Sequence, residues 1–155
     1  MAVLDWDALV AGTECPFDEP RVEPSEYWDT VTQLSVSTLC LHKNQTYRGL
    51  CLLIFDPRHA VRPDELTLDE WRSFSSDAHR AAEALMAVCK PDHVNMALLG
   101  NEIPHLHWHV IPRYKTDPRW GGPIWTTTRE EFHDARLPES ERTELIAGLR
   151  SVLAG

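Results

Sequence analysis

The stretch His105-Leu-His-Trp-His-Val-Ile-Pro-Arg113 sets three histidines in strict alternation with apolar residues. A period of two is the mark of a β-strand, whose successive side chains point to opposite faces. A strand from about Pro104 to Tyr114 therefore carries His105, His107 and His109 on one face and Leu106, Trp108 and Val110 on the other. The apolar set must face the core. Imidazoles this close together cannot all be charged cheaply, because like charges depress one another's pKa. At least one is expected to be neutral and nucleophilic near pH 7.

Three chemistries are open to such a face. It can be a solvated polar surface. It can hold a metal ion, given a further ligand from elsewhere in the chain. Or it can perform nucleophilic catalysis at phosphorus, one imidazole attacking while a neighbour gives a proton to the leaving group.

Outward from this strand the chain reads as strands, helix, strands, helix. Leu4, Ala8 and Leu9 at near-helical spacing before Gly12 indicate a short helix, and a turn-rich stretch runs from Cys15 to Pro24. Tyr27 to Leu41 is rich in Thr, Val, Leu and Ser, as one or two strands require. Asn44 to Gly49 reads as a turn and Leu50 to Phe55 as a buried strand pairing back across it. Thr67-Leu-Asp-Glu70 is a capping box. Trp71, Phe74, Ala78, Ala81, Ala82, Leu85 and Val88 then mark one helix face before Pro91. A strand near Val94 to Leu99 precedes the histidine strand. Asp117 to Thr126 is an irregular Gly/Pro loop, and Pro138 to Leu153 a second amphipathic helix. The fold class expected is α+β, an antiparallel sheet of about five strands with packed helices, in a single domain over 1–155.

Composition narrows the function. The 155 residues carry a formal net charge of −9, so no broad face attracts a phosphate backbone, and nucleic acid is not an expected partner. The longest apolar run, Leu50 to Phe55, is far short of the ~20 residues of a membrane span, so no membrane partner is expected. The acidic N-terminus does not read as a signal peptide, and Cys15, Cys40, Cys51 and Cys89 form no C-x-x-C pair. A cytoplasmic protein with reduced thiols is the expectation.

The H-φ-H-φ-H-φ-φ pattern and its context resemble the histidine-triad (HIT) superfamily of nucleotide hydrolases and transferases. The likeness covers about Leu39 to Arg113: Asn44-Gln-Thr-Tyr-Arg-Gly49, the apolar strand, Asp56-Pro-Arg-His59, then Asn95 to Asn101 and the triad. Pro112-Arg113 resembles the dinucleoside-polyphosphate hydrolase side of the family, and residues 117–155 read as a C-terminal extension. The resemblance implies that His107 attacks the α-phosphorus to form a nucleotidyl-histidine. It implies that His109 contacts the phosphoryl oxygens and helps protonate the leaving group, and that His105 holds the triad in register through its ring N–H. Asn44 would meet the ribose hydroxyls, and Asn95 and Asn101 would donate to the phosphate. The implied substrate is a dinucleoside polyphosphate or nucleoside phosphoramidate, releasing a nucleoside monophosphate, with no cofactor and with a homodimer as the assembly. The rival expectations are a nucleotide-binding or regulatory protein with negligible turnover and a metal-dependent hydrolase.

Some members of the family join a C-x-x-C and two histidines around structural zinc. Here the corresponding stretch is Cys15-Pro-Phe-Asp18, with one thiolate missing. The reading preferred is a turn with a buried thiol and no metal, although Cys15, Asp18, His59 and His105 are the four residues such a site would use. His42, His79, His93 and His133 read as surface or capping residues, and Trp120 and Trp125 as packing residues of the Gly/Pro loop.

Overall fold

The computed structural model describes residues 5–21, 23–126, 128 and 135–155; Leu4 and His133 lie outside them. In chain order the elements are α1 (Trp6–Val10), β1 (Trp28–Gln33), β2 (Ser37–His42), β3 (Cys51–Phe55), α2 (Leu68–Cys89), β4 (His93–Leu98), β5 (His107–Arg113) and α3 (Glu139–Ala154). The strands form one sheet in the order β1-β2-β3-β5-β4. Every neighbouring pair is antiparallel. This is the α+β architecture expected from the sequence.

The long helix follows from its ends and its stripe. Thr67 Oγ1 accepts from the Glu70 amide at 3.2 Å while Glu70 accepts from the Thr67 amide at 2.8 Å, satisfying two otherwise orphaned donors. Phe74, Ala78, Ala81 and Leu85 are buried against Leu39, Leu41, Leu53, Phe55 and Val110 of the sheet. The helix stops at Lys90, which adopts a left-handed conformation (φ 49°) just before Pro91. Helix α3 packs on α2, and its Arg150 donates to the carbonyls of Val31 (2.7 Å) and Thr30 (3.0 Å) on β1.

The register assigns the two faces. Cys40, Leu52, His109 and Ala97 are consecutive partners across β2, β3, β5 and β4, and Thr38, Ile54 and His107 form the adjacent row. These residues share the face opposite the helices. Leu106, Trp108 and Val110 join the helix-side core, as the alternation requires. Cys40 and Cys51 lie on opposite faces and do not meet.

One boundary differs from expectation. β5 begins at His107, not near Pro104. Pro104 has no N–H to extend the ladder. The amides that follow pair locally and sideways, His105 to the Ile103 carbonyl (2.8 Å) and Leu106 to the Ala60 carbonyl (2.8 Å). His105 thus enters the histidine face from a bend.

At the far end of the sheet, Gly49 turns the chain into β3 with φ 92°. A Cβ there would meet Pro112 Cγ at 2.8 Å and Cys89 Sγ at 2.9 Å, so both conformation and space demand glycine.

Candidate active site

Hydrogen bonding fixes the tautomer of the central histidine. His107 Nδ1 lies 2.6 Å from the His105 carbonyl oxygen. A carbonyl only accepts, so Nδ1 carries the proton and the lone pair of neutral His107 is on Nε2. The backbone carbonyl of His105 thus orients the His107 ring. The ring of His105 points elsewhere, its Nε2–H donating to the Phe55 carbonyl at 2.6 Å. The resemblance gives the His105 ring N–H the task of holding the triad in register, and that N–H ties the residue to the end of β3.

Burial, as the largest cause, lowers the pKa of all three histidines from the ordinary value. For His107 the neighbouring His105 lowers it further, and the carbonyl that accepts from its Nδ1–H partly opposes the shift. His109 falls to about 4, pushed down by desolvation and then by His107 and His42. Its ring centroid is 4.9 Å from that of His107. Its Nδ1 is buried without a well-directed hydrogen-bond partner. At neutral pH the face is therefore a row of uncharged imidazoles.

Aromatic rings flank the row at both ends. Phe17 stands edge-on to His107 at 5.0 Å and to His105 at 5.8 Å, and packs on Trp28 at 5.7 Å. Trp125 stands perpendicular to His109 at 5.2 Å. His42 lies on the same sheet face, two positions along β2 from Cys40. Sequence reading left His42 and Trp125 among capping and packing residues. Their place at the site depends on strand register and a distant loop, which no local pattern displays.

The three asparagines are placed differently from one another. Asn44 Oδ1 accepts from the amide and hydroxyl of Thr46 at 3.0 and 2.7 Å, which sets the turn after β2. Asn44 also lines a cleft of about 340 Å³ with Glu26, Tyr27, His42, Lys43 and Arg136. Asn95 Oδ1 accepts from Arg113 Nη1 at 2.6 Å. In both, the side-chain oxygen is engaged within the chain. Asn101 is exposed in the turn that follows Gly100.

Arg113 is 1% exposed and, apart from the bond to Asn95 on β4, directs its donors at one loop. Nε and Nη2 grip the Asp117 carboxylate at 2.8 and 2.9 Å, Nη1 reaches the Gly122 carbonyl at 2.7 Å, and Nη2 meets the Arg119 carbonyl. The bidentate pair raises the Arg113 pKa and lowers that of Asp117. The segment expected to be an irregular loop is thus tied to the end of β5.

Beside the triad, Cys15 Sγ, Asp18, His59 and His105 place one ligand atom each within 4.8 Å of one another. His59 Nε2 faces the Val10 carbonyl at 3.1 Å while its Nδ1 faces an Asp18 oxygen at 2.6 Å. Both nitrogens of His59 meet acceptors, and its Nδ1 shares the Asp18 carboxylate with His105 Nδ1. His105 Nδ1, the unprotonated nitrogen of that ring, lies 3.3 Å from the other Asp18 oxygen and 3.5 Å from Cys15 Sγ. Two imidazoles anchored by carbonyls, a thiol and a carboxylate are the donor set and outer support that zinc prefers. The residues fit the metal despite the missing cysteine. A bound ion would tie residues 15–18 and His59 to the start of β5.

A five-stranded antiparallel sheet, helices on one face and three alternating histidines on the other, defines a histidine-triad protein. The HIT domain model matches residues 26–116, and the chain belongs to that family. Membership implies action on nucleotides, as hydrolase, transferase or binding protein. The match is broader than the 39–113 stretch that carries the likeness in sequence. A histidine triad protein from Bradyrhizobium japonicum is 25% identical, with TM-score 0.76 over 87% of this chain and 97% of its own. One from Marinobacter aquaeolei is 24% identical, with TM-score 0.70 over 82% and 89%. A zinc-bound histidine triad family protein from Mycobacterium smegmatis is 21% identical, with TM-score 0.57 over 95% and 90%. No curated protein sequence matches the chain. Among the described residues no helix is long and apolar enough to cross a membrane.

Proposed function

We propose that this chain is a nucleotide hydrolase or nucleotidyltransferase that cleaves at the α-phosphate of a dinucleoside polyphosphate or nucleoside phosphoramidate. The observation that carries the reading is the His107 Nδ1–H donated to the His105 carbonyl at 2.6 Å. It orients the ring and leaves Nε2 as an uncharged nucleophile at neutral pH. Nε2 attacks the α-phosphorus, the bond to the leaving group breaks, and the leaving group takes a proton with help from His109. Water then attacks the nucleotidyl-histidine, His107 is regenerated, and a nucleoside monophosphate departs. Splitting the displacement into two steps needs no cofactor to generate the nucleophile. Asn44 in its cleft serves the ribose, and Asn95 and Asn101 serve the phosphate as amide donors. A negatively charged chain holds the nucleotide through these local groups.

The same reading takes the active species as a homodimer. Its support is the open outer edge of β4, the last strand of the sheet, with Met96 39% exposed along it.

The test is intact-protein mass spectrometry, quenched seconds after mixing with diadenosine polyphosphate in the presence of a chelator. A mass increase of one nucleotidyl group, absent from His107→Ala, is expected. Tight binding of the dinucleotide with neither adduct nor free monophosphate would make the protein a binding module instead.

A further inference from the structure

Trp125 has no use in the mechanism above, yet the fold spends much of a loop on placing it. Arg113, its five N–H groups directed at Asp117, Asn95, Gly122 and Arg119, fixes the path from Tyr114 onward. Ile124, 3% exposed, then plugs the loop into a cluster with Tyr47, Leu50 and Ile111. The next residue is Trp125. Its ring stands 5.2 Å from His109, and the residue is 46% exposed.

Trp6 and Trp120 are about as exposed, but the Trp125 ring packs against a triad histidine, so its uncovered area adjoins the reacting groups. The aromatic at the other end of the row differs. Phe17 is 6% exposed and closed off by Trp28 and the histidines, so it offers wall but little open face. The more exposed of the two flanking aromatics is thus at the His109 end, where the leaving group takes its proton.

We infer that Trp125 is a specificity residue that stacks on the base of the departing nucleotide, making a dinucleoside polyphosphate the preferred substrate over one with a small leaving group. This rests on the hydrolase reading above. Stacking of a base on an aromatic side chain is sequence-tolerant and large enough to set such a preference.

The experiment compares the full-length protein with Trp125→Ala and Trp125→Phe on two substrates that share the adenylyl group. Attack at the α-phosphorus breaks the P–O bond to ATP in diadenosine tetraphosphate and the P–N bond to ammonia in adenosine 5′-phosphoramidate. The ratio of kcat/KM for the first over the second is expected to fall about tenfold in Trp125→Ala and to recover in Trp125→Phe. An unchanged ratio, or equal losses on both substrates, overturns the inference. If the unaltered protein turns over neither substrate and forms no adduct, the hydrolase reading fails on its own. Calorimetric titration then decides the role of Trp125. Tighter binding of diadenosine tetraphosphate than of AMP, erased in Trp125→Ala, supports it, and no such difference overturns it.

Discussion

The His105 carbonyl oxygen lies 2.6 Å from His107 Nδ1, so the backbone of the first histidine sets the tautomer of the second. An imidazole at 107 can donate to that carbonyl and still present an uncharged nitrogen nucleophile at neutral pH, which an amide or a hydroxyl cannot. His107→Ala is expected to lower turnover by on the order of 10⁴–10⁶-fold, as loss of an attacking residue typically does. His107→Gly should regain a measurable fraction when free imidazole is added. Steady-state release of nucleoside monophosphate checks both.

Burial keeps His107 and His109 uncharged, and His109 does not protonate until about pH 4. Their pKa values are lower folded than unfolded, so the unfolded chain binds more protons below the ordinary value near 6.5. Stability is therefore lost as pH falls from about 6.5 toward 4. A bound phosphate reverses the sign of the local field and raises both pKa values. Nucleotide binding is thus expected to take up protons and to tighten as pH drops from 7 toward 5. Calorimetry in buffers of different ionisation enthalpy measures the uptake; proton release on binding would contradict the neutral triad.

Much of this was legible in the sequence because its signals are local. Alternation at 105–110 declares a strand and its core face, and Thr67 with Glu70 declares the start of α2. What stayed hidden is set by register between distant segments. His42 and His109 share a face only through β3. Trp125 reaches the site only because Arg113 folds the loop back. The family pattern points to Cys15, Asp18, His59 and His105, but that their ligand atoms meet, across more than forty residues, is a fact of the fold.

Asp77 illustrates a hidden structural role. This helix residue, 1% exposed, accepts from the Ser35 amide (3.2 Å) and hydroxyl (2.6 Å), the Val36 amide (2.9 Å) and the Ser37 hydroxyl (2.7 Å). It ties α2 to the β1–β2 hairpin. Asp77→Ala strands these donors and should cost about 3 kcal/mol. In a chain of this size that is roughly 6–12 °C in Tm. Thermal unfolding by circular dichroism reads it, and a shift below 2 °C would deny Asp77 this role.

The β4 edge gives a separate test of assembly. Met96 sits midway along the outermost strand, with Leu99 52% exposed just beyond it. Light scattering coupled to gel filtration is expected to give twice the chain mass for the unaltered protein. Met96→Glu should shift the population to monomer at micromolar concentration by placing a charge in the joint. A monomeric unaltered protein would remove the dimer from the reading.

The zinc-like cluster predicts a metal whose role is structural. Cys15 is buried and its thiol is pushed up to about 11, so without a cation the sulfur stays protonated. Binding must therefore release a proton, and affinity should rise with pH. Elemental analysis of protein purified without chelator is expected to find close to one zinc per chain, falling in Cys15→Ala. Removal of the ion should lower Tm. Asp18→Cys supplies the thiolate that this chain lacks and should hold the ion more tightly, because sulfur is the better donor for zinc. If Tm is indifferent to zinc and chelator alike, Asp18 is only a hydrogen-bond partner of His59, and the turn with a buried thiol is all that remains.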